Sequence, residues 1–164
     1  MSELTFSGTL TGISITPSPA GEMMAVDTVD AVAHLGLTGD RYALQTGTFQ
    51  RKPGEASQDV TLIEQEALDA ALRDHQTSIT HLMTRRNLLT VGVPLNHLVG
   101  KTFAVGDVLL RGLELCEPCR HLQKLTCKEI LKPLIHRGGL RAEIIRGGTL
   151  KIGDVVRPCL ATEE

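Results

Sequence analysis

Apolar and polar positions alternate from Thr5 to Ile15 in a stretch rich in Thr and Ile. That pattern predicts a strand with one buried face, ended by Pro17-Ser18-Pro19-Ala20-Gly21. A second extended stretch is expected from Met23 to about Ala33. A turn-rich segment, Gly36 to Tyr42, follows it and leads into a polar loop from Gln45 to Gln58 that holds Gly47, Pro53 and Gly54 and should be exposed. Val60 to Ile63 reads as a strand. Ile63, Ala67, Leu68, Ala71 and Leu72 then recur at helical spacing among Ala, Glu and Leu, predicting an amphipathic helix that ends near His75. Leu88 to Val93 and Val108 to Leu115 are expected strands. Arg120 to Ile135 is expected to be a second helix with Leu122, Leu125, Ile130 and Leu134 on its apolar side, and short strands return after Gly138.

An internal echo adds topology to this list. Gly100-Lys-Thr-Phe-Ala-Val-Gly106-Asp107-Val108-Leu109 reappears as Gly147-Gly-Thr-Leu-Lys-Ile-Gly153-Asp154-Val155-Val156. Each copy reads strand, turn, strand, with Gly supplying the positive φ of a tight hairpin. Two hairpins of one design suggest a sheet closed on itself, as barrels close to hide their edges. The expected fold class is therefore mainly β: a closed or barrel-like mixed sheet with a few α-helices, in one domain over residues 1–164, since no linker divides the chain.

The bulk properties mostly exclude. With 164 residues, 41% apolar and 22% charged, the chain has the composition of a folded globular protein. A net charge of −2 gives no global field for nucleic acid or an anionic membrane, and an aromatic content of 2% removes the stacking platforms of single-strand binders. No secretory leader pattern stands at the start, and no apolar run approaches the roughly 20 residues of a membrane span. A cytoplasmic location is the resulting expectation. In that compartment the four cysteines serve as thiols, metal ligands or nucleophiles rather than disulfides.

Cys116 and Cys119 form a Cys-x-x-Cys between the strand Val108 to Leu115 and the helix beginning at Arg120. A thiol at a helix start, followed by Arg120 and His121, is favoured as the thiolate, so Cys119 is the better nucleophile or soft-metal ligand of the two. Three other readings stay open. Both sulfurs could be packed core thiols. They could join Cys127 and Cys159 or His121 in a structural zinc site, although zinc ribbons usually present two such knuckles. They could also form a thioredoxin-type dithiol, which would need the motif after the first strand of a βαβ unit. The basic candidates are Arg41, Arg51, the pair Arg85-Arg86 beside Asn87, and Arg120, because the arginine fork suits phosphate and carboxylate. The six histidines share no spacing and are taken as structural.

The order of motifs carries a family resemblance. Gly39-Asp40-Arg41-Tyr42, Val60-Thr61-Leu62-Ile63-Glu64, Arg85-Arg86-Asn87-Leu88, Val105-Gly106-Asp107, Cys116-Glu117-Pro118-Cys119 and Gly147-Gly148-Thr149 with Ile152-Gly153-Asp154-Val155 together resemble the MOSC domain, the family of the C-terminal domain of molybdenum cofactor sulfurase. The resemblance runs from about Gly8 to Pro158. It implies a MOSC-like β-barrel with Cys119 as the family cysteine, a molybdenum ligand in some relatives and a persulfide carrier in others. It further implies molybdenum cofactor held by Arg41, Arg51, Arg85 and Asn87, with Arg120 beside the cysteine. An acidic group next to an anionic cofactor costs energy unless it points away, which sets an expectation for Glu117.

Three functions follow from that resemblance. The first is a molybdenum-cofactor reductase of N-hydroxylated small molecules, with Cys119 on the metal and an external electron-donor protein, because no flavin, haem or iron-sulfur motif is visible. The second is a sulfur carrier that takes sulfur from a donor onto Cys119 as a persulfide and passes it to a cluster or cofactor, with Cys116 resolving it. The third is a cofactor-binding module without turnover.

Overall fold

The computed structural model describes residues 3–45, 58–126 and 128–159. Along the chain its strands are β1 (Gly8–Ile15), β2 (Met24–Val26), β3 (Thr28–Val32), β4 (Gly36–Leu37), β5 (Val60–Glu64), β6 (Leu88–Val91), β7 (Thr102–Val105), β8 (Val108–Leu115), β9 (Leu140–Arg146), β10 (Gly148–Lys151) and β11 (Val155–Pro158). The α-helices are α1 (Gln65–His75), α2 (His81–Thr84), α3 (Arg120–Leu125) and α4 (Leu131–Leu134). The chain is mainly β, as the alternation and the hairpin echo predict. The expected loop from Gln45 to Gln58, with Arg51, lies almost wholly outside the described residues, as does Cys127.

Seven strands close into a barrel in the order β11, β7, β8, β9, β5, β6, β1, and β1 pairs back to β11. The β5–β6 pair is parallel and every other neighbouring pair is antiparallel. A parallel pair needs a crossover rather than a tight turn, and α1 and α2 supply it. On its side away from β6, β1 serves two partners: β11 at Gly8 and Thr9, then β2 from Ile13 to Ile15. Its register against β6 slips between Leu10 and Gly12, which leaves Thr11 as the extra residue of a bulge.

The closed barrel explains the two-faced strands. Leu62, Leu88, Leu110, Phe103 and Ile144 point inward and are fully buried. The next residues along, Ile63 and Leu89, point outward and are covered by Ala67, Leu68 and Ala71 of α1 together with Leu122, Ile130 and Leu134. Hence β5 is buried nearly throughout rather than alternating. Helix α1 stops where Gln76 turns left-handed (φ 55°) and its N–H returns to the carbonyls of Ala71 and Leu72. No helix among the described residues is long and apolar enough to cross a membrane.

Four expectations need correction. The stretch from Met23 to Ala33 is divided at Asp27, with β2 on the barrel sheet and β3 in a separate three-stranded sheet with β10 and β4. The first Gly-Asp turn makes the expected β7–β8 hairpin, with Gly106 at φ 56°. The second does not: β10 joins β3 while β11 joins the barrel, and the turn between them instead clasps β1 through Leu10 N to Asp154 O (2.9 Å) and Gly153 N to Leu10 O (2.8 Å). The helix expected from Arg120 to Ile135 is broken into α3, a 3-10 turn at Lys128–Ile130 and α4. Thr126 Oγ1 donates to Leu122 O at 2.6 Å, competing for the carbonyl that the next helical N–H would use, and Pro133 has no N–H for continuation. Leu72, assigned to the apolar face of α1, is 56% exposed.

Asn87, just before β6, locks one end of the barrel. It is fully buried; its Oδ1 accepts from Thr61 N (3.0 Å) and Thr61 Oγ1 (3.2 Å), and its Nδ2 donates to Ser14 O (3.1 Å). Three strands therefore depend on one carboxamide. Asn87→Ala strands the Thr61 N–H and the Ser14 carbonyl without partners, and should cost about 2–4 kcal/mol, measured as a lower urea midpoint at unchanged slope.

Glu64 closes β5 at the start of α1, and burial, with the nearby Glu66 carboxylate second, raises its pKa to about 7. Because the folded-state pKa lies above the unfolded one, the contribution is present below the ordinary carboxylate range and is lost as pH rises through 7. Glu64→Gln should therefore flatten the fall in stability between pH 5 and 8 and gain about 1 kcal/mol at the upper end, a figure reduced for partial solvent screening. Thermal melts across that range check it.

Candidate functional site

The turn after β8 delivers Cys119, and close packing holds it. Cys116 N donates to Gly139 O at 2.8 Å, and a Cβ on Gly138 would lie 2.2 Å from Cys116 O, so only glycine lets the two segments approach this closely. Cys119 is half-buried at the N-terminal end of α3, leaning on the apolar cluster beneath α1 and α4. It lines a cleft with Pro19, Tyr42, Cys116, His121 and Leu122, and four guanidinium groups join the same lining: Arg41, Arg85, Arg86 and Arg141.

Three of those arginines are buried, at 6, 9 and 8% exposure for Arg41, Arg85 and Arg86. Arg41 reaches Asp40 Oδ1 at 3.2 Å and Arg85 O at 3.0 Å, and its Cζ lies 4.5 Å over the Tyr42 ring. Asp40, fully buried, is further held by the backbone N–H groups of Thr16 and Tyr42. Arg85, itself left-handed at φ 57°, donates to Gly21 O (2.6 Å) and Pro19 O (3.0 Å). Burial, and then the like charge of Arg41, lowers the Arg85 pKa below its ordinary value. Like charges held together out of water mark a place where an anion is favoured. Arg141, on β9, donates to Gln58 Oε1 at 2.6 Å and lies 3.8 Å from Glu114.

The sequence-predicted residues divide accordingly. Cys119, Arg41 and Arg85 come together at the cleft. Asn87 does not reach it, because Thr61 and Ser14 take up its carboxamide. Arg120 is exposed and outside the lining; successive helical residues are about 100° apart, so it is His121 and Leu122 that face inward. Arg51 lies outside the described residues. Glu117 lines the cleft, but its carboxylate accepts from His136 N at 3.0 Å and lies 3.5 Å from His136 Nδ1, which draws the charge toward the rim. Arg86 was a candidate only within the Arg85-Arg86 pair and His121 only as a neighbour of the cysteines, while Tyr42 and Arg141 were given no site role from sequence. Arg141 carried a faint signal, a long cation between the apolar Leu140 and Ala142 in a strand, but nothing tied it to Cys119.

The alternative readings of the cysteine pair meet the same geometry. Cys116 is 3% exposed and Cys119 is not, so the two thiols are not equivalent. The motif follows a strand that is antiparallel to both neighbours, unlike a βαβ dithiol. Among the described residues no three His, Cys, Asp or Glu side chains converge as a metal cage.

The donor set suits a soft metal or sulfur atom on Cys119 with an anionic group beside it. The cleft has room for only a few water molecules, about 40 Å³. These residues therefore fit the metal-thiolate and anionic ends of a molybdenum cofactor without enclosing the whole of it.

Comparison with solved structures finds the same fold in YuaD from Bacillus subtilis, with 14% identity, a TM-score of 0.75, and coverage of 96% of this chain and 99% of that one. YiiM from Geobacillus stearothermophilus shares 11% identity at a TM-score of 0.68, over 93% of this chain and 75% of its own. YiiM from Escherichia coli shares 16% at 0.61, over 96% and 71%. No curated protein sequence matches. Residues 23–157 match the MOSC domain, and with a barrel of this topology around them the chain belongs to the MOSC domain family.

Proposed function

We propose that this protein binds molybdenum cofactor in the arginine-lined cleft, with Cys119 as the metal ligand, and reduces a small N-hydroxylated substrate using electrons from a separate donor protein. The family is associated with that cofactor. The observation that carries the reading is the convergence of one half-buried thiol and four guanidiniums on a single cleft. When bound, the group supplies the two-electron redox chemistry. The chain's own residues bind and orient. Cys119 offers the soft sulfur, Arg41 and Arg85 the positive charge for an anionic group, and Arg141 a cation on β9. Leu122 and Pro19 narrow the water-accessible space around the thiol. A cytoplasmic setting keeps that thiol reduced.

A second reading, a sulfur carrier, is favoured by one observation. The small cleft volume, about 40 Å³, suits a single added sulfur with a small anion beside it. Cys116 is too buried to resolve such a persulfide, so an external acceptor would take the sulfur.

Protein from a molybdenum-replete host, assayed by elemental mass spectrometry, separates the two readings. Near-stoichiometric molybdenum that drops below about a tenth in Cys119→Ser supports the first, since a hydroxyl is a poor substitute for a thiolate on a soft metal. Metal-free protein whose intact mass shows one added sulfur on the Cys119 peptide overturns it in favour of the carrier. Cys116→Ser should keep more than half of the wild-type molybdenum, because the bond from this residue to Arg86 uses the backbone carbonyl.

Arg85→Met should weaken retention of the anionic group by about 10–100-fold, read as cofactor loss on dilution, with Arg85→Lys between the two. Equal retention in all three proteins would remove Arg85 from the site.

A further inference from the structure

Arg86 is one of the four arginines of the cleft, but the reading above gives it no role of its own. Its guanidinium bonds only backbone carbonyls: Nε to Gly138 at 2.7 Å, Nη1 to Thr84 at 3.1 Å and Nη2 to Cys116 at 2.9 Å. Among the described residues no carboxylate pairs with it. Its own backbone is fixed from two further elements. The N–H donates to Thr84 Oγ1 (3.2 Å), and the carbonyl accepts from Ser14 Oγ (2.8 Å) and from His81 Nε2 (2.8 Å).

Two of the three carbonyls held by Arg86 belong to the segments that fix Cys119. Cys116 begins the turn, and Gly138 presses against it from the other side. A fork that reaches three carbonyls at once is a geometry that neither lysine nor glutamine can copy. A guanidinium cannot shed its proton, and carbonyls solvate a cation without cancelling its charge. The residue thus does two separable things, one geometric and one electrostatic.

We infer that Arg86 is the positioning residue of Cys119: it fixes the Cys116–Cys119 turn through its carbonyl bonds and keeps an unneutralised positive charge on the cleft, so that the thiol meets anionic reagents preferentially. This rests on Cys119 being the working thiol but not on any metal being bound.

The test uses full-length protein from a molybdenum-depleted host. Alkylation of Cys119 by iodoacetate and by iodoacetamide is followed on its own peptide by mass spectrometry, alongside hydrogen exchange of the turn and of β5 and β6. In wild type the iodoacetate-to-iodoacetamide rate ratio should exceed that of glutathione and fall as salt is added. In Arg86→Gln the ratio should drop about 3–10-fold, the loss of one nearby charge, and exchange should quicken in the turn but not in β5 and β6. In Arg86→Lys the charge remains and the fork is lost, so the ratio should hold within about twofold while the turn still exchanges faster.

An unchanged ratio in Arg86→Gln, or exchange that quickens equally across the barrel in both variants, overturns the inference and leaves Arg86 as scaffold alone. Neither readout involves molybdenum, so a protein that never carries the metal but shows these shifts would sink the proposed reductase and leave the role of Arg86 standing.

Discussion

A buried guanidinium cannot neutralise itself, and the architecture around the cleft follows from meeting that constraint three times. A lysine or histidine taken out of water can lose its proton; an arginine must be solvated where it sits. Asp40 is the carboxylate at the centre, and it is shared among Arg41 and two backbone N–H groups. Arg41 also meets Met23 Sδ and the Tyr42 hydroxyl, and most of the remaining solvation comes from carbonyl oxygens unclaimed by regular secondary structure. Pro19, Gly21, Cys116 and Gly138 supply four of them, and Thr84 and Arg85 supply two from the corner that runs to Asn87 between α2 and β6. There Arg85 O takes Arg41, Arg86 O takes Ser14 and His81, and Asn87 O takes the Ser14 N–H. The left-handed turn at Arg85 is the strained backbone that aims the two adjacent side chains in different directions, one to Pro19 and Gly21 and the other to Cys116 and Gly138.

Barrel closure and cleft are consequently one structure. Asn87 ties β1 and β5 to the start of β6, and the residue before it grips the turn that carries Cys119. The parallel β5–β6 pair matters here, because its crossover through α1 and α2 is what places the arginine corner at the barrel end facing the Cys119 turn.

Alternation and composition made the barrel legible, since strand period and apolar content report directly on burial. They also identified β8 and α1 with bounds close to those observed. The second Gly-Asp turn misled because a turn's local chemistry does not say whether the strands leaving it stay paired, and here β3 takes the β10 arm while β7 and β1 take the β11 arm. The break at Thr126 was hidden by apolar spacing that continues across it, and only the Thr side chain and Pro133 hint at it. Within the site, Cys119 was legible from its place before a helix, Arg41 from its Gly-Asp turn and Arg85 from its place just before the strand at Leu88. Asn87 and Arg86 could not be told apart from one another: adjacent polar residues before a strand look alike until the pleat decides which one is sealed in the wall and which one faces the opening.

The cleft's charge does not by itself discriminate between a metal site and a sulfur carrier, because either partner of Cys119 would be anionic. Volume does. Four arginines concentrate positive charge around a cleft of about 40 Å³, room for a few water molecules, and the Glu117 carboxylate on the same lining is engaged by His136. A large cofactor could use that charge only at one end and would need further surface beyond the cleft mouth, whereas a single sulfur would use nearly all of it. Under the proposed reading the thiol and its arginines suit either chemistry, and the surface beyond the cleft mouth is what separates the two.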